Sequence, residues 1–226
     1  MRSPSNLIFI ALASFVHARS RFIQIFPGKF RSIKFAMYDQ LEQAIQRLIH
    51  LTSEEKLLLR QLFVPKYLEK GDYFLRAGEP CQHIAFIQQG LLRYYLLGDG
   101  EEFTYSFAKE HNFISDYESL LSSQPSKKSI QALESCSLLV ITYENFQLIY
   151  RQFEEGERLG RLLLEAVFVK IIQQLTSLYQ DSPEERYQFF LEHFSEIQQR
   201  IPQYYVASYV GVKPQSLSRI RRRLGI

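Results

Sequence analysis

Residues 203–221 read Gln-Tyr-Tyr-Val-Ala-Ser-Tyr-Val-Gly-Val-Lys-Pro-Gln-Ser-Leu-Ser-Arg-Ile-Arg, and this stretch decides the reading of the chain. Counted from Gln203, a small residue, Ala207, stands at the fifth place, where two crossing helices leave no room for a larger side chain. Gly211 stands at the ninth, where a tight bend between helices favours positive φ. Val206, Val210, Val212, Leu217 and Ile220 fall where apolar groups must pack two steeply crossed helices. Pro214 suits the first turn of the second helix, because its missing N–H would be unpaired there anyway. The pattern predicts a helix-turn-helix from about Pro202 to Leu224. A plain helical hairpin with a solvated basic face would share the charges, but it would not need all seven packing positions.

Gln215, Ser216, Ser218 and Arg219 are expected on the outer side of the second helix. Glutamine and arginine there can make paired hydrogen bonds to adenine and guanine edges in a major groove. Lys213, Arg221, Arg222 and Arg223 suit phosphates, a contribution that weakens as salt rises. The charge distribution points the same way. The chain of 226 residues carries a formal charge of only +3, and residues 37–181 hold 14 basic against 20 acidic side chains. From Lys213 onward every charge is positive.

Working upstream, Asp181-Ser182-Pro183-Glu184-Glu185 closes one helix and opens another. Asp181 or Ser182 is the cap, and the acids lie at the positive end of the new helix. The stretch from about Glu154 to Tyr179 lacks proline and is rich in leucine and isoleucine. Leu164, Phe168, Ile171, Leu175 and Leu178 recur at alternating steps of four and three, the seam of a two-stranded coiled coil. Leu162, Leu163, Val169 and Ile172 lie outside that seam. One face is therefore expected on the chain's own body and another on a second copy.

Between Val64 and Thr142 the texture is β-branched and aromatic, punctuated by glycines. Strands are predicted over 64–68, 73–76, 83–89, 91–97, 102–108, 129–134 and 138–142, with Gly98-Asp99-Gly100 as a hairpin turn. So many short strands suggest a jelly roll or barrel. Two short helices precede it. The first covers 39–50 with Leu41, Ala44, Ile45 and Leu48 inward. The second is capped by Thr52 or Ser53, with Leu57, Leu58 and Leu62 inward.

Residues 1–36 hold six basic and no acidic side chains. The apolar run Leu7–Val16 imitates an export signal, but a DNA reader must stay with the DNA, so an ordered arm or an extension upstream of a start at Met37 is preferred to export. That run is too short to span a bilayer, and no other segment is expected to. Cys81 and Cys136 cannot alone make a zinc or iron-sulfur site, and the five histidines form no ligand motif. A metal site is not expected, which weighs against a cupin-type barrel enzyme.

With these residues laid out, the order of parts resembles the superfamily of the cyclic AMP receptor protein and the fumarate-nitrate regulator (CRP/FNR) over residues 38–224. Lys70-Gly71-Asp72 and Ala77-Gly78-Glu79 look like the first turns of its cyclic-nucleotide-binding barrel, and Phe86-Ile87-Gln88-Gln89-Gly90 like the central strand. The resemblance implies an α+β fold: N-terminal helices, an antiparallel jelly-roll barrel (37–153), a dimerisation helix (154–181) and a helix-turn-helix domain (182–226). It further implies a cytoplasmic, non-enzymatic homodimer that binds double-stranded DNA, not membrane, and answers to a small-molecule effector, with RNA polymerase as a further partner. The chain departs from the family at the effector cassette. Nucleotide-binding members pair Gly-Glu for the ribose with Arg-Ser for the cyclic phosphate, whereas here Asp116, Glu118, Lys127 and Lys128 are the charged residues and no arginine is present. Loss of cyclic AMP binding is the expectation, with no cofactor. A barrel that senses a small anion and acts through protein contacts is the alternative.

Overall fold

A computed structural model describes residues 29–225, with side chains from Met37 onward. The readings placed on residues 1–28 lie outside the described residues. Residues up to Gln40 form one unit, helical from Lys29, and Leu41–Ile226 forms a second, larger one. The first helix, α1 (Lys29–Gln46), begins well before the expected start at residue 39. Helix α2 (Ser53–Leu62) is capped by Thr52 in a reciprocal box with Glu55.

The buried face of α2 differs from the expected one. Leu59 and Leu62 point inward, Leu58 is half-buried, and Leu57 is 54% exposed. The cause is Glu55, which turns inward on this helix. Its carboxylate accepts from Thr52 N at 2.8 Å and from Glu154 N at 2.8 Å, fixing the helix rotation with its acid facing the far end of the domain.

Eight strands follow: β1 (Val64–Leu68), β2 (Tyr73–Leu75), β3 (His83–Gln89), β4 (Leu92–Gly98), β5 (Glu101–Ala108), β6 (Phe113–Ile114), β7 (Lys128–Ala132) and β8 (Cys136–Thr142). All pairings are antiparallel, in two four-stranded sheets ordered β1-β8-β3-β6 and β2-β7-β4-β5. This is the predicted barrel. β3 lies inside its sheet with Ile84, Ala85, Phe86 and Ile87 all buried, so it reads as a continuous apolar run and not an alternating one. The β4–β5 turn places Asp99 and Gly100 at φ of 50° and 79°, the two positive values a primed hairpin turn needs. β6 was not anticipated, because two residues carry no periodicity. Cys81 and Cys136 are both buried and unbonded to each other.

Helices α3 (Tyr117–Ser122) and α4 (Tyr143–Gln152), also unanticipated, lie between the strands and after them. The long helix α5 (Gly156–Gln180) matches expectation within two residues. Its entry is fixed by the Glu55 contact and by His50 N donating to Glu155 at 2.8 Å. Beyond Gly160 no side chain of α5 is fully buried. Leu164, Phe168, Ile171, Leu175 and Leu178 are 42% to 64% exposed, and so are Val169 and Ile172, which were expected to pack on the body. With mean hydropathy 1.3 over its most apolar 18 residues, the 25-residue α5 is also long and apolar enough to cross a bilayer, contrary to the expectation that no segment is. Its apolar residues exceed one seam, which is what raises the average.

Replacing Glu55 with alanine removes the capping box and leaves Glu154 N–H without its acceptor. E55A should cost about 1–3 kcal/mol, measured as a lower urea midpoint; an unchanged midpoint would show that Glu55 does not hold α2 against the start of α5.

Candidate nucleic-acid interface

After α5, Ser182 caps α6 (Pro183–Phe194) in a second reciprocal box, with Glu185. A 3₁₀ turn (Ser195–Arg200) leads to α7 (Gln203–Val210) and α8 (Pro214–Arg223). Gly211 takes φ 77° and ψ 36°, a left-handed geometry that costs any residue with a Cβ. It completes a paired helix ending. Val212 N donates to Ala207 O at 2.9 Å, and Gly211 N donates to Ser208 O at 3.1 Å. Arg186 fastens this bend to α6, donating to Val210 O at 2.8 Å and to Asp181 O at 2.7 Å.

Val206, Ala207, Val210, Leu217 and Ile220 are all buried, and Val212 is partly buried against the same cluster. Tyr187, Phe190, Phe194, Ile197 and Ile201 complete that core. The two helices thus cross over Ala207 as the spacing predicts.

On α8, Gln215, Ser218, Arg219 and Arg222 are exposed. Steps of three and four residues put them on one stripe, opposite Leu217 and Ile220. Ser216, expected beside them, is half-buried. Among the expected phosphate contacts, Lys213, Arg222 and Arg223 are exposed. Arg221 is half-buried and donates to Gln203 at 3.0 Å, and Arg223 pairs with Glu184. Three arginines in the last turn also lie at the negative end of the helix dipole.

The sequence did not reveal that α7 rests on the barrel. β5 is the outer strand of its sheet. Ser208 Oγ accepts from Thr104 N at 2.9 Å and donates to Glu102 O at 2.9 Å, pairing strand groups that would otherwise face outward. Beside it, the buried guanidinium of Arg93 donates to Gln131 at 2.6 Å and to Glu102 at 2.5 Å. It is sandwiched between Tyr95 and Tyr205, at 4.2 Å and 3.8 Å from the ring centres. Phe107 of β5 meets Phe190, Phe194 and Tyr209. Arg200 joins Glu110 at 2.8 Å and Glu134 at 2.5 Å.

At the effector cassette the expected residues meet one another. Lys128 Nζ lies 2.6 Å from Asp116 and 3.1 Å from Glu118, and Ser126 Oγ donates to Asp116 at 2.7 Å. Burial works to lower the Lys128 pKa, but the two carboxylates outweigh it and hold it above the ordinary value. Lys127 is exposed. Tyr94 and Tyr105 pack 5.8 Å apart, their hydroxyls pushed up mainly by burial and further by Asp116. A buried acid with its cation already neutralised does not fit a cyclic phosphate.

The described residues thus combine a jelly-roll barrel, a long free-faced helix and a helix-turn-helix. Residues 65–153 match the family model of the cyclic nucleotide-binding domain, and over about three quarters of its length the chain shares its fold with solved regulators of the CRP/FNR type. FixK2 from Bradyrhizobium japonicum superimposes with TM-score 0.64 at 15% identity, over 72% of this chain and 84% of that one. A CooA mutant from Carboxydothermus hydrogenoformans gives 0.61 at 17%, over 77% and 83%. A regulator of the crp/fnr family from Eubacterium rectale gives 0.60 at 18%, over 77% and 84%. No curated protein matches the chain in sequence.

Burial tends to raise the Glu110 carboxyl, but bonds from Arg200 and Gly90 N more than offset this and hold it at about 2, against an ordinary 4.5. A depressed folded-state value stabilises above the ordinary value and is lost as pH falls toward the folded one. The contribution of Glu110 should therefore be complete above pH 4.5 and disappear toward about pH 2. In E110Q the fall of melting temperature across that window should be shallower than in the unaltered chain; matching slopes would mean the Arg200 bridge does not tie the 3₁₀ turn to the barrel.

Proposed function

We propose that this chain is a sequence-specific DNA-binding transcription regulator of the CRP/FNR type that works as a homodimer. The observation that carries the reading is the exposed stripe of Gln215, Ser218, Arg219 and Arg222 above the buried Leu217 and Ile220. A helix anchored by one face and offering donors on the other is the geometry for entering a major groove. Gln215 and Arg219 read base edges with Ser218 beside them, and Ser216 lies at the margin. Lys213 and Arg222 hold phosphates, while Arg221 and Arg223 must first exchange Gln203 and Glu184 for them.

The domain roles follow: residues 37–153 form the effector-type barrel, 154–181 the dimer helix and 182–226 the DNA-binding segment. The exposed row from Leu164 to Leu178 supports pairing of two α5 helices across a twofold axis, since so much apolar surface left in water is unfavourable. Arg158, Arg161, Glu165 and Lys170 on the same helix argue for a protein partner and not lipid. The protein acts in the cytoplasm without enzymatic activity of its own, with RNA polymerase as a downstream partner. Its effector is not cyclic AMP, because the Asp116–Lys128 pair takes the place of a phosphate and its cation.

Selection of bound sites from a random duplex pool tests the assignment. R219A should relax preference at one base pair per half-site and cost about 1–3 kcal/mol there. R222A should weaken all sequences about equally and flatten the salt dependence. An unaltered site preference in R219A would remove that residue from base readout.

Dimerisation has a separate check. Charged substitutions at Leu164, Phe168 and Ile171 should give monomers by sedimentation, with operator affinity reduced about 100-fold or more as the two half-sites bind independently. A persistent dimer would place the interface elsewhere.

A further inference from the structure

A second cavity lies away from the nucleotide cassette, where α5, the β5–β6 loop and helices α6 and α7 meet. Its volume is about 320 Å³, within the range of small-molecule sites. The side chains around it include Lys109, Lys170 and His193, three glutamine or asparagine amides and three aromatic rings, and no acid.

Two of the three basic groups are already engaged. Lys109 pairs with Glu196, and His193 Nδ1 contacts Phe189 O at 2.9 Å while its ring stacks on Phe189. Lys170 has no ion pair or hydrogen bond among the described residues, only the Phe194 ring 5.6 Å from its Nζ. The residue is accessible as a whole, yet desolvation by the surrounding protein holds its ammonium below the ordinary lysine value. An uncompensated cation at a partly apolar cavity is poorly solvated, and a carboxylate would relieve that. The rings of Phe194, Tyr209 and Phe189 offer flat apolar walls for the rest of such a ligand. Lys170 is two residues from Phe168 and one from Ile171, so at about 100° per residue it points away from the seam, leaving the cavity open in a paired dimer.

We propose that this cavity binds a small aromatic carboxylate, with Lys170 as the anion contact and Phe194 and Tyr209 as walls for the ring. As the effector site of the regulator it rests on the function proposed above. Its position gives it a lever, because one ligand would touch α5 and the two helices that lead into α8.

Calorimetry on the full chain with benzoate, phenylacetate and 3-phenylpropionate tests this, with phenylacetamide as the uncharged counterpart. At least one carboxylate should bind saturably, one per chain, and at least about tenfold more tightly than its amide. K170M should lose about tenfold in affinity, and Q173W, which fills the cavity without altering its charge, should abolish binding. K127M, at the nucleotide cassette, should change nothing. Absence of heat from all three acids up to about 10 mM, or equal affinity in K170M, would overturn the proposal. Operator binding by fluorescence anisotropy separates the two readings. Carboxylate binding without DNA affinity would remove the regulator function and leave the cavity standing, whereas DNA affinity without carboxylate binding would remove the cavity alone.

Discussion

The placement of α7 against the outer edge of β5 is the contact on which the arrangement of the C-terminal half depends. An edge strand leaves backbone donors and acceptors facing outward, and Ser208 satisfies one of each with a single hydroxyl. Arg93 makes the same junction costly to open. A guanidinium removed from water is tolerated only when its donors are met, and here Gln131, Glu102 and two tyrosine faces meet them. One of those faces, Tyr205, belongs to α7. Withdrawal of α7 would expose one side of a buried charge and unpair a strand edge together, so both contacts oppose opening at once.

That junction was invisible in the sequence, and the reason is physical. Tyr205 and Ser208 sit on the polar side of α7 when only the helix pair is considered, and Arg93 reads as one more charge in a strand. Their meaning arises from partners about 100 residues away. By contrast the helix pair itself was fully legible, because Ala207, Gly211 and the apolar positions answer to constraints within 20 residues of chain. The barrel strands other than the two-residue β6 were legible for the same reason, each bounded by local turn chemistry. The face of α2 was misjudged where a long-range hydrogen bond, Glu55 to Glu154, overrode apolar periodicity. Of the residues expected at bases and phosphates, Gln215, Ser218 and Arg219 stand exposed, whereas Ser216 lies nearer the core than its neighbours and Arg221 and Arg223 are tied to Gln203 and Glu184.

The cassette follows the same logic with opposite sign. Residue types alone left Asp116, Glu118 and the two lysines as potential ligands, and only the fold brings Asp116 and Lys128 to 2.6 Å. Once paired, they satisfy each other, and Ser126 completes the acid's coordination. A phosphate entering there would have to displace a buried carboxylate that has nowhere to be solvated. The barrel keeps its jelly-roll architecture, and at this place in it Asp116 and Lys128 neutralise each other.

The position of α5 is set by few contacts. This helix is anchored firmly only at its start, through Glu55 and Glu155, and beyond Gly160 it touches the body sparingly; Gln174 reaches Tyr105 O at 3.2 Å. A rod fixed at one end and followed in sequence by α6, α7 and α8 would carry a small rotation at its middle to those helices. The groups that set its angle are therefore those bridging its middle to the β5–α7 junction, namely Gln174, Lys170 and the aromatic cluster of Phe107, Phe194 and Tyr209. Because that cluster shares Phe107 with the edge strand, a change in how α5 leans is felt by the contact that holds α7. Helix α5, the barrel edge and α7 thus meet at one aromatic cluster.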